Sequence, residues 1–84
     1  MNNNTLVEDV ILALDRGQEF DFWHKGVLYG LTHHSEGWQL AKESTILALS
    51  KDYLKLFDEE LIDGLSVRTI LENNLLDEGK YYIF

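Results

Sequence analysis

Eighty-four residues, with fifteen acidic side chains against seven basic ones, give a formal charge of −8. A chain of this length forms one domain and buries roughly 60–65% of the surface that it exposes when unfolded. The charge argues against direct binding to nucleic acid, which needs clustered cations, and against anionic membrane surfaces. The absence of cysteine excludes disulfides, thiolate metal ligands and a cysteine nucleophile.

Met1-Asn2-Asn3-Asn4 has neither the basic region nor the apolar run of a signal peptide. No stretch approaches the roughly 20 apolar residues of a membrane span. Without disulfides, the expected setting is the cytoplasm. Acidic residues are spread evenly over both halves, proline is absent, and no linker or repeat interrupts the chain.

The first element is a helix. Thr5 and Glu8 have capping-box spacing, and Leu6, Val7, Val10, Ile11 and Leu14 then fall on one stripe. Gly17 suits its C-terminal cap. From Glu19 the period changes to two. Phe20 and Phe22 alternate with Asp21 and Trp23, Lys25-Gly26 offers a two-residue turn, and Val27, Tyr29 and Leu31 continue the alternation. That turn sets Phe22 opposite Tyr29 and Phe20 opposite Leu31. A second turn at Glu36-Gly37 would place Leu40 opposite His33, with Trp38 and Leu40 on the Leu31 face.

Thr45 to Leu49 is a short β-prone run that can form a fourth strand. Ser50 can cap a helix whose stripe is Tyr53, Leu54, Phe57 and Leu61, and Ile62-Asp63-Gly64 breaks it. Ser66 can cap a further helix that buries Val67, Ile70, Leu71 and Leu75. Residues 80–84, Lys-Tyr-Tyr-Ile-Phe, suit an edge strand with a docked end. The expected fold is therefore α+β. An N-terminal helix precedes an antiparallel meander of three or four strands, two C-terminal helices cover one face, and a last strand lies at an edge.

Phe20-Asp21-Phe22, Lys25-Gly26, Tyr29, Gly37-Trp38, Ile62-Asp63-Gly64 and Ile70-Leu71 together resemble a pattern in small acidic, mostly uncharacterised proteins of Gram-positive bacteria and their phages. The resemblance spans residues 5–72. It implies the α+β fold and carries no activity, because every motif is a turn or a core position.

Candidates for chemistry are few. His24, His33 and His34 could in principle hold zinc, but adjacent residues of a strand point to opposite faces, so they read as surface or turn histidines. No cofactor or metal is expected. Asp21 could neighbour His34 on the exposed side of the meander, which is a weak basis for acid–base catalysis. No nucleophile elbow or phosphate-binding loop occurs.

Trp23 and Leu28 should share the sheet face opposite Phe22 and Tyr29. If helices cover only the other face, the two are exposed together beside Asp21, as a partner-binding patch. The competing expectation is that a helix or the last strand folds over them. Asp58, Glu59 and Glu60 belong to a negative second half that could imitate phosphates.

The sequence thus points to a non-catalytic protein-binding module, such as a small inhibitor of a larger enzyme. One alternative is an acidic nucleic-acid mimic of the phage type, an anti-CRISPR or anti-restriction inhibitor. Another is an accessory or structural protein that homodimerises through its terminal strand.

Overall fold

The computed structural model describes residues 3–84, so the Met1-Asn2 part of the N-terminal reading lies outside the described residues. Helix α1 (Asn4–Asp15) is capped by Asn3, whose side-chain oxygen accepts from the Leu6 amide at 3.3 Å. The expected Thr5–Glu8 box is not used, because the helix starts one residue before Thr5. At the other end Gly17 adopts φ +83°, and the Gln18 and Gly17 amides donate to Ala13 and Leu14. This is a Schellman cap, the role expected of Gly17.

Strands β1 (Phe20–His24) and β2 (Val27–His34) pair in the expected register, Phe22 with Tyr29 and Phe20 with Leu31. Both turn residues have positive φ, +52° at Lys25 and +75° at Gly26, the signature of a type I′ hairpin turn. Strand β3 (Gly37–Lys42) follows a turn at Ser35-Glu36, not at Glu36-Gly37, and Leu40 consequently pairs with Leu31 and not with His33. A shift of two residues preserves the side-chain alternation, so Trp38 and Leu40 still join Leu31 on one face. Gly37 has a different task from turning the chain. A Cβ on it would stand 3.0 Å from the Ser50 carbonyl oxygen and 3.2 Å from the Lys51 Cα.

The fourth strand forms as β4 (Thr45–Ser50), with a bulge where Leu40 pairs with Ala48 but Ala41 pairs with Ile46. The last strand, β5 (Tyr81–Ile83), lies antiparallel to β1 and completes a five-stranded sheet of order β4-β3-β2-β1-β5. Its end is docked, since Phe84 and Glu19 exchange both backbone hydrogen bonds.

Helix α2 (Tyr53–Asp58) is capped by Asp52, while the Ser50 hydroxyl accepts from the Asp52 amide. It buries Leu56 and Phe57 and leaves Leu54 exposed, contrary to the expected stripe. With under two turns, packing on β3 and β4 decides which face turns inward. Helix α3 (Val67–Glu72) is capped by Ser66 and buries Val67, Ile70 and Leu71, as expected. Leu75 is exposed and Leu76 takes the core position, because the helix stops at Glu72 and Asn74 turns left-handed at φ +56°.

Helix residues Val7, Val10, Leu14, Leu56, Phe57, Val67, Ile70 and Leu71 form one apolar cluster with Phe20, Phe22, Tyr29, Leu31, Trp38 and Leu40. The α-helices α1, α2 and α3 therefore lie on one side of the sheet. After α3 the chain returns over the first hairpin. The Asp77 carboxylate accepts from the Lys25 amide at 2.8 Å and from the Gly26 amide at 2.6 Å. No helix among the described residues is long and apolar enough to cross a membrane.

Phe22→Ala should lower the unfolding free energy by about 3–5 kcal/mol in urea titrations, since it empties the centre of the cluster. Leu49→Ala, at a solvated position, should stay within about 0.5 kcal/mol of the parent.

Candidate functional site

Strand alternation places Asp21 and Trp23 of β1, Leu28, Gly30 and Thr32 of β2, Gln39 and Ala41 of β3, and Tyr82 of β5 on the side away from the helices. On β4 the bulge lets both Ile46 and Leu49 face the same way, opposite Ala41 and Gln39. Among the described residues no helix or strand folds over this side. The terminal strand extends the sheet edge and does not cover it.

Trp23 and Leu28 are half-buried rather than fully exposed, shielded by their neighbours within the sheet. The Tyr82 ring meets Trp23 edge-on, with centroids 5.6 Å apart and planes at 76°. Ile46, Leu49 and Tyr82 are 55%, 64% and 62% exposed, high values for apolar and aromatic side chains on a regular sheet.

Read across the strands, Tyr82, Asp21, Gly30, Ala41 and Ile46 form one row. Its two smallest members, Gly30 and Ala41, lie in the middle. Trp23 and Leu28 rise on one flank, with Thr32, Gln39 and Leu49 on the other. The result is a shallow trough across the open face.

Asp21 sits in this trough. Its Oδ1 would be 2.6 Å from a Cβ on Gly30, so the missing side chain makes room for the carboxylate. The Asp21 carboxylate makes no hydrogen bond or ion pair among the described residues; the one ion pair there joins Arg68 to Asp58 at 2.6 Å. Partial burial first, and the Glu19 charge second, push its carboxyl above the ordinary value. Beyond Trp23 a depression of about 510 Å³, lined by Gly26, Asp77, Glu78 and Lys80, continues the surface.

The sheet thus brings Asp21, Trp23 and Leu28 together. It does not bring Asp58, Glu59 and Glu60 to them, because these lie at the end of α2 in the helical layer. All three are exposed there, and Asp58 is in addition paired with the Arg68 guanidinium, which also lies 5.1 Å from the Phe57 ring centroid.

The histidines diverge. His33 stacks on Trp38 at 4.4 Å on the helix side. His34 Nδ1 accepts from the Glu36 amide. His24 is neither a surface nor a free turn residue, as it is only 3% exposed and donates from Nδ1 to the Leu75 carbonyl at 2.7 Å. No three His, Asp or Glu side chains among the described residues are grouped to hold a metal ion.

Tyr82, Ile46 and Leu49 are the members that sequence reasoning missed. Tyr82 reaches Trp23 through a pairing some sixty residues long-range, and the bulge hides the alternation of β4. No protein-family model, curated protein or solved structure matches the chain.

Ionised Asp21 is disfavoured in the folded state. Its stabilising contribution is complete below the unfolded carboxyl value of about 3.9 and is lost as pH rises through the elevated folded value. Asp21→Asn should therefore raise the thermal midpoint slightly at pH 7. The gain should vanish near pH 3, as read by melting curves at both pH values.

Proposed function

We propose that the protein is a non-catalytic binding module that engages another protein through the open face of its sheet, as a small inhibitor of a larger enzyme. The observation that carries this reading is the one-sided covering of the sheet, which leaves Trp23, Leu28, Ile46, Leu49 and Tyr82 on a continuous solvated surface. Interface cores are enriched in such aromatic anchors, and a rigid sheet presents them with little ordering entropy left to lose on binding. A carboxylate kept in that surface at some expense in stability supports the same reading.

Acidic mimicry of nucleic acid of the phage type is the second reading, supported by the exposed Glu59 and Glu60 and by the net charge of −8. It is the weaker of the two, because Asp58 is already neutralised by Arg68. Self-association through β5 is the third. The ladder with β1 uses the backbone groups of Lys80, Tyr82 and Phe84 on one edge, leaving those of Tyr81 and Ile83 facing outward.

Capture from a lysate of the source cells separates these readings when wild type, Leu49→Glu and Glu59→Gln/Glu60→Gln proteins are compared at low and high salt. The sheet-face reading expects a specific protein that is retained at high salt, lost with Leu49→Glu and kept by the glutamine variant. Loss with salt and with the glutamines would move the function to the acidic face, since such contacts are screened over roughly 8–10 Å. A concentration-dependent dimer with no captured protein would move it to β5.

A further inference from the structure

The geometry points to a cation subsite within the open face. Asp21, Trp23 and Tyr82 form a receptor for a guanidinium-bearing side chain, so the partner would contribute an arginine at this point. The inference rests on the sheet-face reading and specifies the chemistry of what docks there.

Four observations converge on the same few ångströms of surface. The Asp21 carboxylate is half-buried, and among the described residues it is unpaired and no cation neutralises it. Gly30 leaves the space above its backbone to that carboxylate, which is thereby held over the trough. Tyr82 is the direct neighbour of Asp21 across the β1–β5 pair, and Trp23 follows Asp21 on the same face, so two π-systems stand beside the carboxylate. Their edge-to-face arrangement, with centroids 5.6 Å apart and planes at 76°, fixes the two rings against each other on the face that carries the acid.

A guanidinium suits this corner better than an ammonium. It is planar, stacks on an aromatic ring, and presents parallel N–H donors to both oxygens of a carboxylate. It also loses less hydration on entering a partly apolar trough than an ammonium group does.

Charge complementarity favours the same occupant. Glu19 raises the negative potential at Asp21, and Asp77 and Glu78 lie in the depression beyond Trp23. Lys80 borders that depression, and its backbone oxygen accepts from the Trp23 amide, yet its ammonium forms no ion pair with Asp21. A partner arginine would offset the Asp21 charge, which has no counter-ion among the described residues of the free protein.

The test uses N-acetyl-arginine methylamide as the probe and N-acetyl-leucine methylamide as the neutral control, each titrated into the ¹⁵N-labelled protein. The Trp23 indole and Gly30 amide signals are the readout, and the buried Trp38 indole reports an intact fold. The arginine probe should shift Trp23 and Gly30 saturably, with at least tenfold weaker binding for the leucine control.

Asp21→Asn should weaken the arginine probe at least tenfold. So should Gly30→Ala, whose Cβ displaces the carboxylate without requiring a positive φ. Equal binding of the two probes, full binding by Asp21→Asn, or no saturable shift at Trp23 overturns the subsite. If the probe fails while Leu49→Glu still abolishes protein capture, the subsite falls and the sheet-face reading stands. If the probe binds while Leu49→Glu spares capture, the subsite stands and that reading falls.

Discussion

The Lys25-Gly26 turn decides which side chains of the first two strands meet the helices and which meet solvent. Both residues hold positive φ, a conformation matched to the right-handed twist of the flanking strands. Because side chains alternate with a period of two, one register sends Phe20, Phe22, Tyr29 and Leu31 into the core and Asp21, Trp23 and Leu28 outward. A slip of one residue would put a carboxylate and an indole against α1 and expose two phenylalanines. The core and the open face are thus two outcomes of a single constraint.

The segment after α3 reinforces that constraint. Asp77 receives the two amides of the turn, and His24 ties Leu75 to the adjacent end of β1. Strand β5 then runs along β1 and sets Tyr82 beside Trp23. The segment that holds the hairpin from outside also completes the open face, so the shape of the fold and the surface proposed for a partner draw on the same contacts.

Much of this was legible locally. The hairpin register, the Gly17 and Ser66 caps, and the α+β order all follow from short-range patterns that the tertiary structure respects. The misplacements have physical reasons. Gly37 looks like a turn glycine but is required by the close approach of Ser50 and Lys51, a contact with no local signature. Extending the α3 period to Leu75 overlooks the left-handed Asn74. Asn3, one of three consecutive asparagines, caps α1 ahead of the more conspicuous Thr5.

For the site, Trp23, Leu28 and Asp21 were readable because they share a hairpin. Tyr82, Ile46 and Leu49 were not, because a distant strand pair and a bulge place them.

The β1–β5 pair also bears on the order of folding. The meander from β1 to β4 joins neighbours in sequence, so its loops close at small entropic expense, whereas β5 must return across most of the chain to find β1. Contact order therefore sets the Tyr82–Trp23 contact among the last expected to form. On that order a chain whose last strand has not docked would present an unaccompanied indole, and the aromatic pair exists only once β5 lies along β1. Recognition through this corner, on the proposed reading, would discriminate between finished and unfinished copies of the protein, and Trp23 emission, separated from that of Trp38, would follow the final step.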